Sequence, residues 1–371
     1  MPLTALDIAR LEQALVAAQA AIGLSDPNPR VGCVLGSADG QIFGIGFTQE
    51  AGGPHAEVMA LRAAQATGRE VRGATAWVTL EPCAHHGRTP PCCDALISAG
   101  LARVVVAVED PNPLVAGQGV QRMRAAGLLV EVAQGQVADA ARELNIGFFS
   151  RHERGRPWVR LKLATSLDGR TALNNGISQW ITGAQARADG HAWRKQAGAV
   201  LTGIGTVLAD DPRLDVRHVS THQQPLRVVV DSALRLPASA RILHPPGLVV
   251  VATARGDEAK RQALRAAGAE VLQCAHPSSA QVDLPALIAA LGARHINEVH
   301  VEAGSALSGA LIQQGLVDEI LMYIAPLLLG PGRDAVNWSP LLALAEAPRF
   351  RFTEVVRLGE DLRLCARLGG H

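Results

Sequence analysis

Between residues 54 and 94 the chain carries one imidazole, His55, and two thiols, Cys83 and Cys92, with an acid, Glu57, two positions after the histidine. These residues constrain the fold most, because the three ligand types can meet at one ion only if their segments are brought together. An imidazole and two thiolates are three ligands for zinc and leave a fourth tetrahedral position for water. Glu57 is placed to move protons without binding metal. Cys93 and His85 are alternative fourth ligands for a closed structural site. Cys93, however, adjoins Cys92 at a predicted helix start, so both cannot easily face one metal. An open position beside an acid is the arrangement of a catalytic ion.

Local signals predict how these segments are held. A helix runs from His55 through Ala66 and turns the positive end of its dipole toward the ligands. A buried strand over 75–80 leads into Glu81-Pro82-Cys83, and Pro90-Pro91 suits the first turn of a helix at Cys92. A helix start favours thiolate. Upstream, Ile8, Leu11, Leu15, Ala18 and Ile22 mark an amphipathic helix, ended by the extended loop Ser25-Asp26-Pro27-Asn28-Pro29. Strands over 31–35 and 42–47 follow. Downstream, a strand over 103–108 ends in Glu109-Asp110-Pro111-Asn112-Pro113, a position where α/β proteins place ligand contacts. A helix over 118–126, a strand over 128–132 and a helix over 138–149 complete a layered α/β unit.

A chain of 371 residues is comfortable for two domains. Residues 150–157, polar, basic and glycine-containing, read as a linker, which gives domains over 1–149 and 158–371. After it, Val159, Leu161 and Leu163 share one strand face, and Arg160, Lys162 and Ala164 share the other. Lys162 is one of three lysines among 35 basic residues. Alone, it reads as a snorkelling side chain on a solvent-facing edge strand. Residues 184–196 form a helix carrying Arg187 and Arg194. A strand over 199–202 then opens through Gly203-Ile204-Gly205-Thr206 into a short helix. Strands over 226–230, 248–252 and 270–273 alternate with helical segments. A strand over 298–302 runs through small residues into another helix. Strand, small residues, helix is the geometry that holds a phosphate or pyrophosphate, although close helix packing explains small residues as well. Strands over 319–324, 350–356 and 361–366, the last two a hairpin around Gly359, give this second α/β domain mixed strand directions.

Composition excludes several classes. A net charge of +1 and 3% aromatic residues argue against nucleic acid and membrane partners. Six scattered cysteines are not a disulfide framework. With no signal-like start and no long apolar run, a cytoplasmic enzyme is expected.

The H-x-E and P-C elements resemble the H-x-E…P-C-x-x-C signature of zinc deaminases, with eight residues instead of two between the cysteines. Asn28-Pro29-Arg30-Val31-Gly32, His55-Ala56-Glu57, Thr79-Leu80-Glu81-Pro82-Cys83 and Thr89-Pro90-Pro91-Cys92 further resemble the bifunctional riboflavin biosynthesis deaminase/reductase family. So do Asp110-Pro111-Asn112-Pro113, Leu161-Lys162-Leu163, Ser166-Leu167-Asp168-Gly169 and Trp180-Ile181-Thr182. Residues 206–212 and Val301-Glu302-Ala303-Gly304 extend the resemblance over nearly the whole chain, and the longer cysteine spacing is that family's own. One departure is Thr48, where the family often carries a histidine.

The resemblance implies an α/β fold with an N-terminal cytidine-deaminase-like three-layer domain and a C-terminal dihydrofolate-reductase-like domain. It implies one Zn2+ per chain, NADPH, a small-molecule pyrimidine nucleotide as substrate and a homo-oligomer. The substrate would be 2,5-diamino-6-ribosylamino-4(3H)-pyrimidinone 5′-phosphate, deaminated first and then reduced from ribosyl to ribityl. Glu57 and Lys162 would be catalytic. Asn28, His85, Asp110 and Asn112 would contact substrate in the first site. Ser178, Arg194, Leu214, Arg217 and Glu302 would do so in the second. Ala164, Trp180, Thr206, Asp210, Ser232, Gly304, Ser305, Ala306, Leu307, Ser308, Gly309 and Ala310 would hold the dinucleotide.

Overall fold

Thr4 and Asp7 begin the first helix with a reciprocal capping box: Thr4 N–H donates to Asp7 Oδ2 at 2.9 Å, and Asp7 N–H to Thr4 Oγ1 at 3.2 Å. The same carboxylate accepts from Trp77 Nε1 at 2.8 Å and Arg103 Nη1 at 2.6 Å, so the cap also fastens the helix to the sheet. Burial acts to raise the Asp7 pKa, but Arg103, Trp77 and Thr4 outweigh it and hold the group well below the carboxylate range. These contacts are seen in a computed structural model that describes residues 3–84, 90–113 and 115–369. It divides into two units, Met1–Gly155 and Arg156–His371.

The first unit runs α1 (Ala5–Ala18), β1 (Gly32–Gly36), β2 (Ile42–Phe47), α2 (Ala56–Ala66), β3 (Thr75–Val78), α3 (Cys92–Ser98), β4 (Arg103–Val106), α4 (Gln118–Ala125), β5 (Leu129–Val132), α5 (Gln136–Leu144) and α6 (Ile146–Arg154). Its sheet has the order β2-β1-β3-β4-β5, with β1 antiparallel to both neighbours and β3, β4 and β5 parallel. Alternation sorts the core into two layers. Val34, Trp77 and Val105 pack with Leu11 and Ala141 of α1 and α5. Cys33, Ala76, Val78 and Val104 pack with Ala56 and Ala60 of α2, Leu96 of α3 and Met123 of α4. Gly44 and Gly46 let α2 lie directly on β2, since a Cβ on either would strike the α2 backbone at Ala60 or Ala56. That close seat fixes the helix start bearing His55 and Glu57.

Two expectations change here. The single helix over 138–149 is two helices, because Asn145 leaves the helical path at φ −113° and ψ 22°. Its amide accepts from Arg30 N–H at 2.7 Å and donates to Arg30 O at 3.0 Å, a strand-like pairing that competes with helix continuity. In the segment read as a linker, residues 150–154 are the end of α6. Its basic residues Arg151, His152 and Arg154 lie at the negative end of the helix dipole, and Gly155, at φ 70°, ends the helix.

The second unit runs β6 (Trp158–Ser166), β7 (Arg170–Leu173), α7 (Ala184–Gln196), β8 (Ala199–Gly203), α8 (Ile204–Asp210), β9 (Leu226–Val230), β10 (Val249–Thr253), α9 (Glu258–Ala266), β11 (Ala269–Gln273), α10 (Leu284–Ala293), β12 (Glu298–Val301), α11 (Ser305–Gln313), β13 (Glu319–Ala325), β14 (Gly332–Asp334), β15 (Phe350–Leu358) and β16 (Asp361–Leu368). Nine strands form one sheet in the order β11-β10-β9-β8-β12-β6-β13-β16-β15, parallel from β11 to β13 and antiparallel beyond. The hairpin turns at Gly359, as its sequence predicts.

One face of this sheet is apolar throughout: Val159, Leu161, Leu201, Val228 and Val301 pack on Leu287, Leu291 and Leu311 of α10 and α11. The opposite face changes character along the sheet. At β8 to β10 it is mostly aliphatic, with Val200, Val229 and Val251 against Ile204, Val207 and Leu264, around one buried guanidinium, Arg227, that donates to Pro245 O at 2.9 Å and Gly247 O at 2.6 Å. At β12, β6 and β13 it carries His300, Arg160, Lys162 and Tyr323 beneath α7. Arg160 is buried, donating to Glu298 at 2.9 Å and Glu319 at 2.6 Å, with its guanidinium 4.3 Å from the Trp193 ring centroid. β6 is therefore a central strand. The edge-strand reading of Lys162 fails because the polar face of β6 meets a charged layer instead of water. Among the described residues, no helix is long and apolar enough to cross a membrane.

Candidate active sites

His55 is the N-cap of α2, Cys83 lies just beyond β3, and Cys92 is the first residue of α3. His55 Nδ1 is 3.7 Å from Cys83 Sγ and 3.3 Å from Cys92 Sγ, and the three ligand atoms lie within 4.8 Å of one another. Tetrahedral zinc, with Zn–S of about 2.3 Å and Zn–N of about 2.0–2.1 Å, needs ligand atoms roughly 3.5–3.8 Å apart. The trio fits that ion. It is the only such group among the described residues. The Cys93 thiol turns to Asp94 Oδ1, 3.8 Å away, and is not among the converging ligand atoms. His85 lies outside the described residues.

The two thiols share a proton. A hydrogen bond from Cys92 holds Cys83 below the ordinary thiol range, while Cys92, beside that thiolate, buried and near Glu57, is pushed up. A divalent cation supplies the charge that frees both sulfurs. Cys83→Ser should accordingly lose zinc, because a serine hydroxyl does not become an anionic ligand as readily. Metal content per chain is the measurement, and full occupancy with unchanged affinity would remove Cys83 from the ligand set.

Glu57 sits in the first turn of α2 and is 3% exposed. Glu81, named only as part of a motif in the sequence, is the clamp of this region. Its carboxylate accepts N–H groups from Asp110 at 3.3 Å, Gly117 at 2.9 Å and Val120 at 3.1 Å, fixing Asp110, Gly117 and the start of α4. Its place between a buried strand and a ligand cysteine was the available signal. Asp110 is buried and accepts from Asn112 N–H at 2.8 Å; burial first, with Glu81 and Cys83 adding to it, raises its carboxyl to about 7. Asn28 is held through its backbone, N–H to Ser25 O at 2.8 Å. Thr48 is buried, and its hydroxyl accepts from Val31 N–H at 3.3 Å, so this side chain supports β1.

In the second unit Lys162 Nζ lies 3.8 Å from Glu302 Oε2 and 5.8 Å from the ring centroid of Tyr323, the chain's one tyrosine. Arg194 of α7 takes Glu302 with both Nε and Nη2, the latter at 2.9 Å, and donates Nη1 to Asp215 O at 2.9 Å. Burial works against charge on Glu302, but Arg194 and Lys162 hold it well below the usual range. Tyr323 donates to Asp189 at 2.6 Å, which also accepts from Arg363 at 2.9 Å. Asp189, Asp215 and His300 were not legible as site neighbours. Arg217 pairs with Asp215 and stays 41% exposed, whereas the Leu214 side chain is in the core, so only its backbone is free to meet a ligand.

Two helix starts flank this layer. α8 follows β8 at Gly203 and α11 follows the neighbouring parallel β12 at Gly304, and no side chain caps either. A Cβ at Gly304 would sit 3.8 Å from Thr206 Oγ1, so the two N-termini adjoin. Uncapped N–H groups at adjacent carboxyl-end positions suit a pyrophosphate. Ser305, Ala306, Leu307, Ser308 and Ala310 belong to α11, and Gly309 gives room for the backbone of Asn337. Asp210 ends α8 and is exposed. Trp180 is 68% exposed with Arg187 stacked 4.6 Å from its ring centroid, and Ser178 lies two residues before it. Ala164 pairs with Tyr323 across β6 and β13. Ser232 Oγ accepts from Val282 N–H at 3.1 Å, which leaves its O–H to donate.

Comparison with known proteins finds the same two parts. Residues 6–108 match the cytidine and deoxycytidylate deaminase zinc-binding region, and residues 157–364 match the RibD C-terminal domain. This is a two-part enzyme, a zinc-binding deaminase followed by a reductase. The chain is 46% identical to the riboflavin biosynthesis protein RibD of Escherichia coli over 97% of its length and 98% of the relative's. It is 40% identical to that of Aquifex aeolicus, with 95% and 96% covered. It is also similar to the structures of Acinetobacter baumannii RibD (TM-score 0.88, 45% identity, 98% and 99% covered) and of a Thermotoga maritima diaminohydroxyphosphoribosylaminopyrimidine deaminase/5-amino-6-(5-phosphoribosylamino)uracil reductase (TM-score 0.86, 32% identity, 98% and 99% covered). The chain belongs to the RibD family of bifunctional deaminase/reductases of riboflavin biosynthesis.

Proposed function

We propose that the first unit removes the 2-amino group of 2,5-diamino-6-ribosylamino-4(3H)-pyrimidinone 5′-phosphate as ammonia. The second then reduces the ribosyl side chain with NADPH, giving 5-amino-6-(5-phospho-D-ribitylamino)uracil. The observation that carries this reading is the pairing, in one chain, of the His55, Cys83 and Cys92 trio beside Glu57 with a Lys162–Glu302–Arg194 layer beside two uncapped helix starts.

His55, Cys83 and Cys92 hold the zinc, which when bound lowers the pKa of an adjacent water toward neutrality. Glu57 would take one proton from the attacking water to the ring nitrogen, and then carry the remaining hydroxyl proton to the amine as the C–N bond breaks and ammonia leaves. Asn28, Asp110 and Asn112 position the pyrimidine nucleotide, with Asp110 held by Glu81 through its backbone N–H. In the second unit NADPH, when bound, supplies the hydride. Residues 304–310 with Thr206, Asp210, Trp180, Ala164 and Ser232 hold the dinucleotide. Lys162 orients the open-chain oxygen or nitrogen of the ribosyl group and stabilises its developing negative charge. Glu302 favours the charged form of Lys162 and Arg194 holds Glu302 in place, Ser178 and the Leu214 backbone line the substrate side, and Arg217 meets the 5′-phosphate. Low net charge and few aromatics support a free nucleotide rather than nucleic acid as substrate. A cytoplasmic homo-oligomer goes with this reading; exposed Phe352 and Val355 on β15 offer it a surface.

The test follows ammonia release and NADPH oxidation together on the diamino substrate. Both should proceed in that order, and ammonia release only from an RNA-bound base would overturn the reading. The chain also divides at Gly155 and Arg156. A form beginning at Arg156 should therefore reduce the already deaminated substrate. Separability fails if that form folds and binds NADPH yet gives no turnover.

A further inference from the structure

Residues 213–217 form a short stretch outside the strands, and its path is set by side chains from elsewhere. Arg194 Nη1 holds Asp215 O at 2.9 Å. The Gln224 amide pairs with Val216 in both directions, at 2.7 Å and 3.0 Å. One helix turn before Arg194, His191 Nδ1 accepts from Arg217 N–H at 3.2 Å, and the ring is 5% exposed. Three consecutive residues are thus each anchored by a different side chain. Asp215, itself buried, receives Arg213 Nη2 at 2.9 Å and Arg217 Nη1, which sets two half-exposed guanidinium groups side by side. At Asp215 two guanidinium groups, Arg213 and Arg217, share one carboxylate, which leaves positive charge over for an anion such as phosphate. The imidazole can accept only while neutral. Burial, and then Arg194, Arg217 and His218, keep His191 down at about 4, and the His218 ring lies edge-on at 4.5 Å.

We propose that His191 is a positioning residue for phosphate recognition: its Nδ1 fixes the Arg217 backbone and so aims the Arg213 and Arg217 pair at the substrate's 5′-phosphate. This rests on the reading that Arg217 meets that phosphate. The role concerns binding, common to ground and transition states, so its loss raises KM and leaves kcat unchanged.

The experiment measures reduction by the full chain with NADPH, on the deaminated ribosyl substrate and on the same compound without its phosphate. His191→Phe should raise KM for the phosphorylated compound about tenfold, the scale of one lost hydrogen bond, with kcat within about twofold. For the dephosphorylated compound it should match the wild type. His191→Asn, whose Oδ1 stands at the Nδ1 position, should restore most of the affinity. His191→Gln, whose polar atoms stand one bond further out, should not. Equal behaviour of the Asn and Gln variants overturns the proposal, as does an equal KM rise on both compounds. Loss of NADPH binding in all three variants also overturns it, by assigning His191 to the fold. Arg217→Ala separates the two ideas. If it leaves the preference for the phosphorylated compound intact, the reading of Arg217 fails. If it removes that preference while His191→Phe has no effect, only the role of His191 fails.

Discussion

Glu57→Gln should lower deamination by about a hundredfold or more while zinc content and fold stay as they are, the usual scale of general acid–base help. The argument is geometric. Glu57 stands two residues beyond a ligand histidine, in the first turn of a helix seated directly on β2, and it is not one of the three ligand atoms that converge. Glutamine keeps the shape and hydrogen-bonding length but cannot take up a proton. Ammonia release and metal content should be measured on one sample, with reduction of pre-deaminated substrate as the control that the second unit is untouched. Near wild-type ammonia release would return Glu57 to a packing role.

Lys162→Ala should leave deamination intact, keep NADPH affinity within a few-fold and lower reduction by about a hundredfold, the size seen when one preorganised donor is removed. The lysine stands on a central strand, 3.8 Å from a carboxylate that is itself gripped by Arg194, so its position is fixed before substrate arrives. Burial lowers its pKa from 10.5, Glu302 opposes that shift, and Arg194 adds to it. The acting form is the ammonium, present below the folded pKa. Wild-type reduction should therefore decline on the alkaline side at a pH under the ordinary lysine value. Steady-state NADPH oxidation across pH is the measurement. A mutant that reduces at wild-type rate makes Lys162 a bystander in the charged layer.

The metal site was legible because every signal for it is local. The ligand types, the helix start at His55 and the Pro90-Pro91 entry to Cys92 all lie within one stretch, and alternation in strands gave the layers. What could not be read depends on distant partners. Whether β6 is central or an edge is decided by β12 and β13, which begin 140 and 161 residues after it. The same strand pattern serves either place. Asn145 breaks a helix because of Arg30, 115 residues away. Tyr323 and Asp189, 134 residues apart, meet beside Lys162 with no trace in either segment.

The change of character along one face of the nine-stranded sheet gives that sheet an uneven tolerance of substitution. From β8 to β10 the residues other than the buried Arg227 are mostly aliphatic and exchangeable, since swaps that conserve volume usually cost less than about 1.5 kcal/mol. From β12 to β13 the buried Arg160 cannot be exchanged alone, because removing it takes the shared cation from between Glu298 and Glu319, at a cost of about 3–5 kcal/mol. Sequence drift and deliberate redesign of this domain therefore have one permissive flank. The other can change only by replacing whole groups of residues at once.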